Sequence, residues 1–520
     1  MHLLNTLWQK KGNLIILLLA IIAIMPALPI LRLGTYGVFY NIDPEMALIG
    51  NALSLIKDGM VHYGDHPGTP SIVMISLSYF PIRIYTKFVE HINFITWSFD
   101  NLKVLFLYTR IFYLAIFSIG IYIFLSAINR FSKNIFVPIF SWLLLFTFGF
   151  TPRLIGTVLT ESLTFLLISI WLFIFTFYIK RPTKGKGVLM SFVAGLAIAN
   201  KYNSFPILLT TLICSLFLGK RNLMNKFKSL ILSGGIGLFG FVVGTWEIRS
   251  SYLPLLKQVM KVLFQSGSAH GNGESAFFDA GLYKNAIMIV SSAEKTPFLV
   301  FVGVSLIIFF IFVLGKKLKI KFDQPIYYIF AATFFSTLFI AKYPVPYYQF
   351  PNFILVTFIA SYLVSKLPKS FVLLSCLLIM LIPIRNISAY NSYLKSAMDN
   401  SIYLEEYILT HKTNKATLWD YGMSEDFMRI WIRGWSQGVY SKELKEKRPD
   451  LLELKSDYKT VYLDFENSKD VFDVCWDKLY IRESRATVFL DLYKTKKFKS
   501  VVIGNTGIWE VMSSHCITKP

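Results

Sequence analysis

Two short segments near the N-terminal end of the chain hold the residues best suited to chemistry. Asn41-Ile42-Asp43-Pro44-Glu45 brings two carboxylates together, and Tyr63-Gly64-Asp65-His66-Pro67-Gly68-Thr69-Pro70 adds a third carboxylate and an imidazole. A carboxylate beside a bilayer is costly unless it faces water or a partner. Asp43, Glu45, Asp65 and His66 are therefore candidates for moving a proton or holding a substrate. The first segment also has a plain structural reading. Pro44 suits the first turn of a helix running through Met46 and Ile56, and Asp43 is then its N-cap. A helix cap and a general base at the rim of a lipid-accessible cavity both put an acid at position 43. In the second segment two prolines and a glycine make a rigid turn that presents Asp65 and His66. His62, Asp65 and His66 form a sparse metal set, drawn from one turn with no His-Glu-x-x-His helix. No metal ligand is assigned; a divalent ion is compatible with the segment but not favoured.

Basic and aromatic residues form a second group: Arg110, Arg153, Lys201 with Tyr202-Asn203, Arg249, and Lys342 with Tyr347 and Tyr348. A cation at a membrane boundary wants an anion, either a carboxylate or a phosphate. Glu161 and Glu247 can neutralise some of these charges, and the surplus suits a lipid phosphate. The tyrosines read equally well as an interfacial belt. The Gly- and Ser-rich segment 265–274, with His270, reads as a loop covering a substrate or as a plain connector. Its Gly-x-Gly opens no Rossmann helix and carries no nucleotide meaning.

The elements that must position these residues are membrane helices. The chain has 520 residues, 54% hydrophobic and 16% charged, with mean hydropathy +0.52. A soluble protein carries about 25% charged residues. Apolar runs recur at roughly 14–31, 101–126, 135–150, 162–179, 189–201, 204–218, 229–246, 297–314, 325–341, 348–365 and 370–384, about 11 crossings. The first is of spanning length, lacks a small-residue cleavage site and is read as a retained helix. The net charge of +22 sits largely in every second gap, around Lys10, Arg130, Lys180, Lys220, Lys316 and Lys366. That pattern is topology, not nucleic-acid binding, and it places those gaps and the N-terminus in the cytoplasm. Of the twelve acids before residue 385, eleven then fall outside or at the outer boundary, and only Asp323 falls inside. The longer outer loops are 32–100 and 247–296.

From residue 385 the charge becomes dense and balanced, and no run is long enough to span. Helix-like stretches at about 390–410, 424–434, 441–454 and 482–494 alternate with β-rich runs at 416–419, 460–463 and 500–503. The alternation argues a small extracytoplasmic α/β domain over 385–520, after a transmembrane domain over 1–384. Cys475 and Cys516 are the only cysteines in that domain; a disulfide between them stays open, as two cysteines are weak evidence for one.

The order of several motifs resembles the GT-C superfamily of membrane glycosyltransferases, in particular the protein O-mannosyltransferases and the lipid A aminoarabinose transferases. The acid pair after span one and the Asp-x-Pro-rich turn come first. Arg110-Ile111-Phe112, Leu159-Thr160-Glu161-Ser162-Leu163, Gly195-Leu196-Ala197-Ile198-Ala199-Asn200-Lys201-Tyr202 and Lys342-Tyr343-Pro344-Val345-Pro346-Tyr347-Tyr348 follow. Two departures stand out: Asp43-Pro44-Glu45 replaces an adjacent Asp-Glu, and His66-Pro67-Gly68-Thr69-Pro70 replaces a His-Pro-Pro-Leu turn.

The resemblance implies a GT-C-like fold in a plasma membrane, the bacterial inner membrane, with the C-terminal domain extracytoplasmic. It implies a polyprenyl-phosphate sugar donor and a lipid, glycan or protein acceptor attacking from the outer side. It assigns Asp43 as the base that activates the acceptor hydroxyl, with inversion at the sugar carbon. Arg153, Lys201, Arg249 and Lys342 become candidates to hold the departing phosphate, and no cofactor is needed. Two alternatives stand beside it: a ligase or polymerase of lipid-linked glycans, and a transporter or flippase of lipid-linked sugars. A transporter places polar groups near the midplane, whereas the acids here cluster at one rim.

Overall fold

The computed structural model describes residues 2–32, 43–62, 68–132, 134–217, 222–253, 324–340, 346–410, 416–420, 441–448, 460–463, 476–482, 498–504 and 508–513, with scattered short stretches between 257 and 306 and between 428 and 440, and Thr506. The chain forms two compact units. One comprises Met1–Leu28, Tyr63–Met74 and Arg110–Tyr390; the other comprises Pro29–His62, Ile75–Thr109 and Asn391–Pro520. The segments 29–62 and 75–109, which include most of the expected outer loop 32–100, thus fold in one unit with the C-terminal part of the chain.

The helices are α1 (His2–Ile22), α2 (Asp43–Asp58), α3 (Thr69–Ser78), α4 (Phe80–Phe88), α5 (Phe94–Asp100), α6 (Leu102–Asn129), α7 (Phe136–Phe146), α8 (Thr151–Gly156), α9 (Thr160–Lys180), α10 (Lys184–Asn200), α11 (Phe205–Phe217), α12 (Leu223–Gly244), α13 (Gln324–Ile340), α14 (Phe350–Val364), α15 (Lys369–Thr410) and α16 (Ser441–Lys447). Among the described residues, five segments are long and apolar enough to cross a membrane: Gly12–Arg32, Leu102–Asn129, Thr160–Lys180, Leu223–Gly244 and Lys369–Leu404. The protein is a mostly helical, multi-pass membrane protein. The expected span at 135–150 is shorter as a helix: α7 has only 11 residues, about 16 Å at 1.5 Å per residue, and α8 begins just past the expected end, at Thr151. The expected span at 297–314 lies largely outside the described residues.

In the first unit, α14 is the central helix. It is buried from Phe350 to Tyr362, as its apolar side chains on every face require. Phe350 and Phe353 stack on Phe148, with ring centroids 5.7 and 5.3 Å away. The hydroxyls of Ser361 and Ser141 pair at 2.6 Å, which satisfies two polar groups in an apolar core. α12 packs differently. Its buried residues are Ser233, Gly237, Gly240 and Gly244, a stripe of small residues on one face. These let α10 approach at backbone distance, as small residues do between membrane helices. A Cβ on Gly195 of α10 would lie 2.1 Å from the carbonyl oxygen of Gly237.

α15 corrects the sequence reading. The helix does not stop at 384 but runs unbroken through Pro383 to Thr410. Membrane helices tolerate an internal proline because neighbouring groups satisfy the freed backbone. One turn on, the Asn386 amide donates to the carbonyls of Phe146 and Thr147, at 3.1 and 2.9 Å, and so caps the end of α7.

In the second unit, strands β1 (Ala416–Asp420), β2 (Thr460–Leu463), β3 (Trp476–Arg482), β4 (Phe498–Val502) and β5 (Ile508–Ser513) make a five-stranded sheet in the order β2-β1-β3-β5-β4. β1 is parallel to β2 and to β3; β5 is antiparallel to β3 and to β4. The three β-rich runs read from sequence all appear as strands. β3 and β5 did not announce themselves, because both carry charged or bulky polar residues in a buried position: Lys478 donates to Glu510 at 3.1 Å across that pair. The helix expected at 482–494 lies outside the described residues, apart from Arg482 at the end of β3. Cys475 and Cys516 also lie outside the described residues.

α2 and α5 share this unit. Thr96 donates to Glu443 at 3.2 Å, the hydroxyls of Ser98 and Tyr440 pair at 3.0 Å, and the Arg429 guanidinium donates to the Phe99 carbonyl at 2.9 Å. Tyr440 takes a left-handed backbone (φ 71°), and burial raises its phenol above the ordinary value. α2 packs Gly50 against the backbone of Ile432.

Candidate active site

In the first unit, four helix ends meet around two charges. α9 opens at Thr160, directly after Leu159 in an extended conformation, so Glu161 stands in its first turn. α10 closes at Asn200, and Lys201 leaves it in an extended conformation. An acid is favoured at a helix N-terminus and a cation at a C-terminus. The two ends lie side by side, and the buried Lys201 ammonium donates to the buried Glu161 carboxylate. Thr160 donates to the other oxygen of Glu161 at 3.2 Å. Each charge is thus stabilised by its own helix and by the other charge.

Asn200 ties this pair to α3. Its side-chain oxygen accepts from both the backbone N–H and the hydroxyl of Ser71, at 3.1 and 2.7 Å. Its amide nitrogen donates to the Thr160 carbonyl and the Thr164 hydroxyl, at 2.7 and 2.9 Å. Every hydrogen-bonding position of a fully buried amide is used, which fixes α3, α9 and α10 in one register. Pro70 packs near Gly244 of α12, so the start of α3 sits against that helix end as well.

The late tyrosine turn reaches the same place. Pro346–Gln349 forms a short 3-10 turn before α14. The Tyr348 ring lies under the Lys201 ammonium, 5.5 Å from centroid to nitrogen, and the Asn203 amide donates to the Tyr348 carbonyl. A cation held against an aromatic face and a carboxylate is a preorganised, largely dry site, in which charge is worth more than in water.

The other predicted residues fall as follows. Asp43 and Pro44 open α2, as the helix reading expects, and Glu45 is fully buried in its first turn. Arg110 is fully buried on α6. Arg153 is half-buried on α8. Arg249 does not join the Glu161–Lys201 cluster: it is exposed, donates to the Trp246 carbonyl at 3.2 Å and stacks on the Trp246 ring at 5.2 Å. Asp65, His66, His270 and Lys342, and the side chains of Asp43 and Tyr347, lie outside the described residues. His62 pairs with Asp58 one turn back, at 3.7 Å. Among the described residues, no group of three or more His, Cys, Asp or Glu is placed to hold a metal ion. The acid pair on α2 and the Glu161–Lys201 cluster belong to different units.

Of the residues brought together here, the sequence singled out Glu161, Lys201, Asn203 and Tyr348, did not single out Ser71, and held Asn200 only within a motif. The one available signal was position: an amide as the last residue of an apolar helix, next to a lysine, is expensive there unless it is bonded.

This arrangement of helices and helix ends is similar in fold to a membrane protein of known structure. The chain is similar over 98% of its length, and 98% of the other's, to the crystal structure of ArnT from Cupriavidus metallidurans bound to undecaprenyl phosphate, with TM-score 0.51 and 11% identity. The apo state of the same ArnT matches over 99% of both chains, with TM-score 0.50 and 12% identity. At such identities the likeness is one of fold. No protein-family model matches the sequence, and no curated protein matches it.

Proposed function

We propose that the protein transfers a sugar from a polyprenyl-phosphate donor to an acceptor hydroxyl at the outer face of the membrane. The observation that carries this reading is the fold, shared along nearly the whole chain with a protein crystallised with undecaprenyl phosphate. In this reading Asp43 takes the proton of the acceptor hydroxyl as its oxygen attacks the sugar's anomeric carbon. The bond from that carbon to the phosphate oxygen breaks, the configuration inverts, and the polyprenyl phosphate leaves with its charge. Lys201, Arg153 and Lys342 are the cations proposed to hold that charge, with Tyr348 fixing Lys201. Glu45, Asp65, His66, Arg110, Glu161, Arg249, His270 and Tyr347 are proposed to position substrate or these groups. The leaving group is already activated, so the reading needs no metal; a chelator challenge that stopped transfer would count against this part.

The test is Asp43→Asn assayed with a radiolabelled polyprenyl-phosphate sugar. Loss of at least about a hundredfold in rate is expected, the scale of a general base. Near wild-type transfer by a folded variant would leave Asp43 as a helix cap only. A second reading, a flippase of lipid-linked sugars, has one observation in its favour. α10 and α11 are short, and the 3-10 turn Tyr202–Ser204 between them lies beside buried Asn200 and Lys201. A flippase would move the donor intact, so the chemistry of the product separates the two.

A further inference from the structure

The end of the first unit where α6 and α9 finish holds a cavity of about 280 Å³. That is close to the lower bound of small-molecule sites, roughly 300 Å³. Its walls come from Arg130 and Phe131 just after α6, the last residues of α9, the first turn of α13 at Ile326, and Phe358 and Tyr362 of α14. Arg130 and Lys180 line it, and no carboxylate does among the described residues. A third cation, Lys366, sits 4.6 Å from the centroid of the Tyr362 ring.

Local contacts hold these cations without neutralising them. The Arg130 guanidinium lies 3.3 Å from the Phe177 ring centroid and 5.5 Å from that of Phe173. Stacking of that kind leaves the in-plane N–H groups unused. Among the described residues, the Arg130 Nε is buried with no hydrogen-bond partner. Lys180 donates to the Arg130 carbonyl at 3.2 Å, which uses one of its three hydrogens. A buried guanidinium donor with no acceptor is costly, and an anion is what relieves it. The first turn of α13, which lines the cavity at Ile326, adds the positive end of its dipole. Phe131, Ile179, Ile326 and Phe358 make much of the wall apolar, beside Thr176 and Tyr362, so the site fits a charged head joined to a hydrocarbon better than a free ion. This end also carries the basic gaps after α6, α9 and α14, which the positive-inside rule sets against a leaflet rich in anionic lipid.

We propose that this cavity binds the phosphodiester of an anionic membrane lipid, with the Arg130 Nε and the Lys180 ammonium donating to the phosphate oxygens. The site is separate from the transferase reading and stands or falls without it. Purified full-length protein in detergent would be titrated with dioctanoyl phosphatidylglycerol, dioctanoyl phosphatidylcholine and inorganic phosphate, and bound ligand counted by native mass spectrometry. Saturable binding of a single phosphatidylglycerol is expected, weakened roughly tenfold in Lys180→Gln and in Arg130→Gln, as loss of one charge-assisted hydrogen bond gives. Equal affinity in the variants and the wild type overturns the proposal. Equal binding of phosphatidylcholine overturns the requirement for an anion. Displacement by inorganic phosphate at matching concentration reassigns the cavity to free phosphate and overturns the lipid. Arg130 also stacks on Phe177, so Lys180→Gln carries the test if Arg130→Gln does not fold.

Discussion

At the scale of single residues, the Glu161–Lys201 pair and Asn200 carry opposite lessons. The pair was legible: an acid opening one apolar helix and a lysine closing the next are hard to bury unless they meet. Removing one partner strands a buried charge. Glu161→Gln or Lys201→Gln alone is expected to cost about 3–5 kcal/mol of stability, and the double variant clearly less than the sum. Denaturant unfolding in detergent measures this, and additive losses would show that the two charges are not coupled. Asn200 was legible only by its place in a motif at a helix end; its role lies in the four groups that the fold brings to it. Asn200→Ala leaves several buried groups unbonded and is expected to cost about 3 kcal/mol, against about 1 kcal/mol for Ser71→Ala. Asn200→Asp should be worse than Ala, since it removes the donor and sets a second carboxylate beside Glu161. If it proved the milder change, the donor side of the network would not matter.

At the scale of elements, periodicity located most apolar helices but not where they break or continue. α7 ends early because Thr147 and the residues after it turn into α8, and α15 runs through Pro383 past the end expected at 384. Both outcomes depend on partners supplied by distant segments, such as Asn386 capping α7. The approach of α10 to α12 is the clearest case in which residue size sets an element's position. Gly195→Ala would push a methyl into the Gly237 carbonyl and should cost about 1–3 kcal/mol. Gly235, on the same helix as Gly237, has nothing near its would-be Cβ, so Gly235→Ala should stay within about 1 kcal/mol of wild type. Thermal unfolding of the two variants side by side checks this; equal effects would mean that the glycine contact does not set the helix spacing.

At the scale of the whole molecule, composition and charge patterning already specified a multi-pass membrane protein followed by an α/β segment. They could not show that segments 29–62 and 75–109 fold in one unit with residues 391–520. Contacts such as Thr96 with Glu443 link residues hundreds of positions apart, and no local pattern encodes them. The grouping bears on function because α2, which begins at Asp43, is held by that unit. The fold, similar to that of ArnT along nearly the full chain, supports the proposal that a lipid-linked sugar is transferred. The most direct measurement reconstitutes the wild-type protein in liposomes with a doubly labelled polyprenyl-phosphate sugar, carrying one label on the sugar and one on the lipid. The sugar label is expected to pass to an acceptor with inverted configuration while the lipid label is recovered as free polyprenyl phosphate. Recovery of both labels on one intact molecule, moved across the bilayer or left in place in the presence of acceptor, would contradict the proposal.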